Sequence, residues 1–549
     1  MENGATLWRI GLDTFDYVIV GAGSAGSVLA NRLTASGKHR VLVLEAGGSD
    51  TTPWIQIPIG YGKVFYDAKV NWKYVTEPDP NLDNRPIYWP RGKVLGGSSS
   101  INAMVYVRGH PNDYAEWNAV APGWGWSDIE PLFRRMENWD GPASPERGVG
   151  GPLSVHDVSA DVHPLTRIYL EAAAQAGIPT NPDYNGPEME GAALYQITTK
   201  DGYRASAARS YLKPAQRRDN LAVRTKAHVT RILLDGHRAI GVEYKHKGQI
   251  KTVHARAEVI LSGGAINSPH VLQLSGIGPG SILQTHGIDV KLDAPQVGRN
   301  LQDHLGSDNL YVSRKSSLNQ ELRPLLGKMK VALQYALSRK GPLSLSLNQG
   351  GGFVSLTNET ACPDLQLYFS PVSYTRAPVG VRPLMSPDPF PGFLIGFNPC
   401  KPTSIGHLQL RSPNPFDAPE LHPNYLSTEH DRAMMLAGTK LMRKIANTAA
   451  MQSVIEHELL PGADVDSDEA ITAYTRKTSW TVFHQCSTCR MGNDPATSVV
   501  DPRLRVRGID RLRVADASIF PSIPTGNTNA PAIMVGEKAS DLILEDALG

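Results

Sequence analysis

The chain has 549 residues, 41% of them apolar and 20% charged, and a formal net charge of +2. That length allows a large core split among roughly two to four domains, and the balance of apolar and charged residues is that of a globular protein. The small net charge argues against nucleic acid or another polyanion as partner, and four cysteines are too few for a disulfide framework and suit a reducing compartment.

The opening Met1-Glu-Asn-Gly-Ala-Thr-Leu-Trp8 has neither the basic nor the apolar region of a secretory leader. No apolar run reaches the roughly 18 residues of a membrane span. The expected location is therefore cytoplasmic, with peripheral membrane contact as the alternative. The first strong pattern is an apolar run at 17–20, read as a buried parallel strand. Gly21, Gly23 and Gly26 follow in G-x-G-x-x-G spacing, then a helix over 25–34 and a second strand at 41–45 ending in Glu45. Gly21 permits the tight turn, Gly23 lets backbone approach a pyrophosphate, and Gly26 lets helix and strand pack closely. The helix start offers free N–H groups to that pyrophosphate, and Glu45 is spaced to accept from ribose hydroxyls. These parts together predict a dinucleotide site without separating NAD from FAD.

From 53 to 90 the chain is rich in aromatics, Pro and Asn and reads as an irregular excursion. The stretch 91–104 is a glycine–serine loop. Gly96 and Gly97 allow its backbone to lie flat against a planar ring, and Ser98, Ser99 and Asn102 add short hydrogen-bonding side chains. Several short strands are expected over 220–259, and 258–276 repeats the order strand, glycine turn, helix. The span 310–480 reads as a different layer of helices and alternating strands, such as 364–369 and 406–411. Within it, 325–337 is moderately amphipathic, with Lys328, Lys330, Arg339 and Lys340 on or beside it. It reads as a surface helix, the alternative being a helix lying on a membrane surface. Cys486 and Cys489 form a C-x-x-C with no second pair or His cluster to complete a zinc site, so no metal is expected. The end, 512–538, is again strand, glycine loop and helix. A discontinuous nucleotide domain with a second domain inserted explains this order.

Four blocks, 16–45, 92–115, 264–278 and 484–538, together resemble the glucose–methanol–choline (GMC) family of FAD-dependent oxidoreductases. The second and third fit the family's two diagnostic patterns position by position. The run 88–106 and Asn300-Leu-Gln-Asp-His304 are most similar to bacterial alcohol and choline dehydrogenases. It is this resemblance that implies FAD. It also implies an α/β fold: a Rossmann-like FAD-binding domain formed by 14–164, 217–310 and 495–549, and an inserted α+β substrate domain with a mixed sheet, formed by 165–216 and 311–494.

The same resemblance assigns the cofactor residues. They are Gly21, Gly23, Ser24, Ala25, Gly26, Glu45 and Ala46 in the first block, with Trp72 beyond it; Arg91, Gly92, Val94, Gly97, Ser98, Asn102, Ala103, Met104 and Val105 in the second; then Val229, Asp516, Ala517, Asn527, Thr528 and Asn529. Some relatives bond FAD covalently through a histidine whose position here is Ile101, which implies non-covalent FAD. The family's catalytic histidine falls on His484, and a histidine, with an ordinary pKa of about 6.5, suits removal of a hydroxyl proton. Relatives usually have Pro and Gly where this chain has Gln485 and Ser487, a departure that bears on the shape of the loop. The second catalytic position falls on Asn527, whose amide can donate to the substrate oxygen but cannot act as base; Asn529 is assigned to the flavin. Met104, Tyr368, Trp480 and Phe483 are substrate-pocket candidates because they flank these blocks, and an apolar wall of this kind suits a primary alcohol. The implied reaction is oxidation of a primary alcohol to an aldehyde, with hydride passing to flavin N5 and electrons leaving to a quinone, another carrier or O2. The alternatives are a flavin-bearing lyase of the hydroxynitrile-lyase kind and a non-enzymatic flavin-binding protein.

Overall fold

The computed structural model describes residues 14–357, 362–374 and 386–548; the leader reading of residues 1–8 lies outside them. The strand Thr14–Val20 is the spine of a seven-stranded sheet. It pairs in parallel with Val41–Glu45 on one side and Gln249–Leu261 on the other, and Leu221–Thr225 extends the parallel set beyond Val41–Glu45. Every residue of Val41–Glu45 is buried, as a parallel strand covered on both faces requires. The 13-residue strand Gln249–Leu261 does two jobs. Its first half continues an antiparallel meander with Arg238–His246 and Ala227–Asp235, and its last residues pair in parallel with Leu512–Val514. The expected strand–glycine–helix units are present, with helices Ser24–Thr34, Gly264–Leu274 and Asn529–Asp546.

The first and last of these helices pack closely: a Cβ on Gly536 would stand 2.8 Å from Val28 Cβ. Beside that contact the buried Glu537 carboxylate takes Arg32 and Arg135, each at 2.8 Å, and accepts from Tyr211 Oη at 2.8 Å. The first and last of these helices are thereby clamped into one nucleotide layer.

The second sheet runs Ile455–Leu460, Leu305–Ser313, Gly392–Pro399, Leu365–Ser370, Gly350–Val354, Gly191–Leu194. The helix Glu429–Ala446 packs on it, with Gly438 seated over the Phe397 ring. The mixed sheet expected from sequence is antiparallel throughout, although most of its neighbouring strands lie far apart in the chain. The division expected at 310 cuts through Leu305–Ser313, all of which belongs to this second sheet. Similarly, Tyr211 and Leu212, assigned above to the inserted domain, pack in the core of the first sheet. Alternating patterns announce a strand but not the sheet it joins.

The excursion at 53–90 contains short helices, Pro53–Gln56 and Tyr61–Val64, and a two-residue ladder between Tyr74–Val75 and Tyr88–Trp89. These are too short for periodicity to register. Cys486 and Cys489 are fully buried in the first core. Among the described residues no helix is long and apolar enough to cross a membrane.

Candidate active site

One cavity runs between the two sheets, and its first wall is the glycine turn. Gly21 has φ +102°, and a Cβ there would lie 2.4 Å from the Ser262 carbonyl oxygen. Gly23 ends the turn and caps the Ser24–Thr34 helix with no side-chain cap and no acid in its first turn, so its N–H groups stay open to an anion. A Cβ on Gly23 would have nothing nearer than 3.9 Å. The helices Gly264–Leu274 and Asn529–Asp546 also begin without a side-chain cap, and all three helix starts line the cavity. Gly97 closes the wall: its Cβ would stand 2.7 Å from Gly23 Cα, so the two glycine loops touch.

Glu45 borders this wall. Its carboxylate accepts from the N–H of Ala22 at 2.9 Å and of Gly47 at 2.8 Å. Burial nonetheless pushes its pKa up to about 7, against the pull of those two donors. Asp516 accepts from Gly264 N at 2.8 Å and Ser268 Oγ at 2.6 Å, tying the second glycine turn to the C-terminal strand.

At the other end lies His484, buried and linked on both ring nitrogens. Its Nδ1 is 2.9 Å from Nδ1 of His304, and Nε2 of His304 is 2.8 Å from the carbonyl oxygen of Cys400. A carbonyl only accepts, so His304 carries its proton on Nε2 and presents a bare Nδ1. His484 must then donate from Nδ1, which leaves its Nε2 bare. Asn527 completes the chain: its Oδ1 accepts from Gln366 Nε2 at 2.9 Å, and its Nδ2 donates to His484 Nε2 at 3.0 Å. Burial, then His304 and Arg91, hold His484 well below the ordinary histidine pKa, so it is neutral near pH 7. Asn529 faces away from this pair, accepting from Ser24 Oγ at 2.8 Å.

The loop that carries His484 is held by Asp303. This buried carboxylate accepts from the His484 N–H at 2.8 Å, Gln485 Nε2 at 2.7 Å, Thr481 Oγ1 at 2.5 Å and the Tyr425 hydroxyl. Gln485 is thus part of the support. Ser487 adopts φ +74°, the left-handed region glycine favours, so the loop follows a glycine's path with serine in place.

Every residue the sequence assigned to the cofactor lines this cavity except Gly26 and Val94. Gly26 stands beneath the turn, where a Cβ would lie 2.0 Å from the Gly21 carbonyl oxygen, and Val94 is packed in the apolar cluster behind the second loop. Both act as scaffold. Met104, Tyr368, Trp480 and Phe483 also line it. Phe483 meets Phe65 edge-on at 5.4 Å and Trp480 at 5.8 Å, forming an aromatic rim with Tyr61.

The family model described as GMC oxidoreductase matches residues 15–306 with its N-terminal part and 402–536 with its C-terminal part. The chain belongs to the GMC oxidoreductase family. It is 42% identical to an alcohol dehydrogenase [acceptor] of Pseudomonas putida over 96% of both chains. It is 41% identical to an oxygen-dependent choline dehydrogenase of Photobacterium profundum over 97% of this chain and 93% of that one. Among solved structures, pyridoxine 4-oxidase from Mesorbium loti superposes with a TM-score of 0.86 at 32% identity, covering 96% and 98% of the two chains. Formate oxidase of Aspergillus oryzae RIB40 gives 0.90 at 27%, covering 97% and 98%.

This GMC oxidoreductase is an FAD flavoprotein, and the cavity fits that cofactor. The open space over Gly23, the uncapped start of the Ser24–Thr34 helix and the side-chain-free wall of Gly92 and Gly97 suit a pyrophosphate and a flat ring. Sequence reasoning gave no role to Asp303 and His304. Their signal was the Asn300–His304 run, but their partners at 481–485 lie about 180 residues away.

Proposed function

We propose that this GMC oxidoreductase oxidises a primary alcohol to an aldehyde, with His484 as proton acceptor, Asn527 as orienting amide and FAD held without a covalent bond. The observation that carries the reading is the fixed tautomer of His484, whose bare Nε2 borders the cavity beside a donated Asn527 N–H. A substrate hydroxyl entering there would draw the Asn527 Nδ2–H away from His484 Nε2, accept from that N–H itself, and give its proton to the Nε2 so freed. As that proton leaves, the carbinol carbon becomes a strong hydride donor and its C–O bond becomes the carbonyl of the product. Bound FAD supplies the hydride acceptor, and the electrons then leave to a quinone, another carrier or O2. Gly21, Gly23, Glu45, Gly97, Val229 and Asp516 would hold the nucleotide and the ring. Ile101 offers no nucleophile for a covalent bond. The aromatic rim of Tyr61, Phe65, Trp480 and Phe483, with Met104, favours an alcohol with an apolar tail. The names of the alcohol and choline dehydrogenase relatives support the same donor class.

The test is anaerobic flavin reduction by a panel of alcohols, followed by turnover with a dye acceptor and with O2. His484→Ala should keep its flavin yet reduce it on the order of 10²–10⁴-fold more slowly. Acid or heat should release intact FAD from the wild type. A His484→Ala rate near that of the wild type removes the proposed base.

A further inference from the structure

The helix Leu325–Ser338 plays no part in the site described, yet its surface is inverted. Only Val331 and Tyr335 turn into the protein. Leu325, Leu326, Met329, Leu333 and Leu337 are 60–80% exposed. At 100° per residue these five fall within an arc of roughly 120°, opposite the buried pair. Lys328 and Lys330 fall one on each side of that arc. Soluble surfaces scatter single leucines, but five aligned on one helix mark a contact surface.

Charge selects the occupant. Between Glu321 and Glu359 the chain carries Arg323, Lys328, Lys330, Arg339 and Lys340 and no acid. Lys63 adds to the basic rim from a neighbouring segment: burial first, and then Lys328, hold its ammonium below the ordinary lysine pKa. Its Nζ stands 3.4 Å over the ring of Trp54, which is 42% exposed. The nearby acids stand at the margins, Glu321 before the helix and Asp201 beside Gly202, against which Arg339 packs. A second copy docked face to face would set lysine against lysine. An apolar ridge with a basic rim and a flanking tryptophan is complementary to a bilayer with anionic headgroups.

We infer that Leu325–Ser338 seats this protein on anionic membrane surfaces as an in-plane helix. The leucines and Met329 enter the acyl boundary, while Lys63, Lys328 and Lys330 meet the headgroups. The helix packs on the turn Pro342–Ser344, which packs on Pro58–Gly60 next to Tyr61 of the aromatic rim. The seated face therefore lies beside the part of the cavity that receives apolar molecules.

The test uses purified holoenzyme in vesicle flotation, with phosphatidylglycerol and phosphatidylcholine in equal parts or phosphatidylcholine alone. Holoenzyme should float with the mixed vesicles, less so in high salt and less so without phosphatidylglycerol. Leu326→Glu with Leu333→Glu should lower the partition coefficient at least about tenfold, since two leucines lose their burial in lipid. Flavin content and turnover of a soluble alcohol with a dye acceptor should be unchanged in this variant. Lys328→Glu with Lys330→Glu should abolish the preference for phosphatidylglycerol. Failure of the holoenzyme to float, or equal flotation of the leucine variant, overturns the inference. So does a wild type that is dimeric in solution, indifferent to vesicles and rendered monomeric by the leucine changes. None of these readings depends on which alcohol is oxidised.

Discussion

At the scale of single residues the site rests on one proton. His304 does not line the cavity; in the proposed reaction it is a positioning residue that acts by accepting the Nδ1 proton of His484 and leaving Nε2 unprotonated. His304→Ala should retain FAD but slow anaerobic flavin reduction by roughly tenfold to a hundredfold, as expected when the imidazole loses its orienting partner. Burial and His304 both hold the His484 pKa down. Opening that corner to water should raise it toward about 6.5, so the acid limb of the rate profile should move to higher pH. A purely structural role would lower the rate without moving the limb. Glu45 makes a second test. Its carboxyl, pushed up to about 7 by burial, would accept most strongly from ribose hydroxyls in its ionised form. FAD affinity of the apoprotein should therefore fall roughly tenfold between about pH 7.5 and about pH 6, and Glu45→Gln should bind more weakly with a flat profile. Wild-type affinity unchanged over that range would count against the ribose role. His484 and Asn527 could be proposed from sequence only because long motifs surround them; one histidine among 16 carries no signal of its own. His304 was present in a recognised run, but its role exists only through space.

At the scale of elements the two glycine loops behave as one part. Gly97 has φ +53° and its Cβ would press to 2.7 Å from Gly23 Cα, so the second loop cannot gain a side chain there without parting from the first. Gly97→Ala should cost about 1–3 kcal/mol from backbone strain and overpacking and should also deplete bound flavin. Gly37→Ala is the control: φ is +75° but nothing lies within 4 Å, so only about 1 kcal/mol of strain should appear, with full flavin content. Melting temperature and flavin absorbance measured on both variants separate the effects; equal flavin content would mean that the loops do not jointly form the cofactor wall. The sequence disclosed the first of these loops readily. An apolar run, three spaced glycines and a second strand ending in Glu45 obey local rules that hold whatever surrounds them. The second sheet was less legible. The alternation at 364–369 fixes a strand, while its direction depends on neighbours such as Gly392–Pro399, and the ladder at Tyr74–Val75 is too short to leave a period.

At the scale of the whole molecule, function requires that titratable groups be buried where the two sheets meet, and this should set the response to acid. His304 and His270 are both held down to about 4 by burial, and His484 lies well below its ordinary value. For a histidine whose folded pKa is depressed, the unfolded chain binds the proton first as pH falls. The stability linked to each group is therefore complete above about pH 6.5, and that of His304 and His270 is lost between about 6.5 and about 4. His304 and His270 each put on the order of 3 kcal/mol at risk over that window. Glu45 works in the opposite sense: its folded pKa of about 7 exceeds the unfolded value of 4.5, so protonating it favours the folded apoprotein over part of the same range. Asp303 and Asp516, also raised by burial, gain with Glu45, while His228 and His407, both held down to about 4, lose with the other histidines; the depressed histidines outnumber the raised carboxyls and predict a net fall. The melting temperature of the apoprotein should drop as pH is lowered from about 7 to about 4.5, well before ordinary carboxylates titrate. His270→Asn should make that decline shallower, because one of the depressed sites is gone. A melting temperature that holds steady over this range, or a His270→Asn variant with an unchanged slope, would show that burial at the junction of the sheets does not govern the acid response.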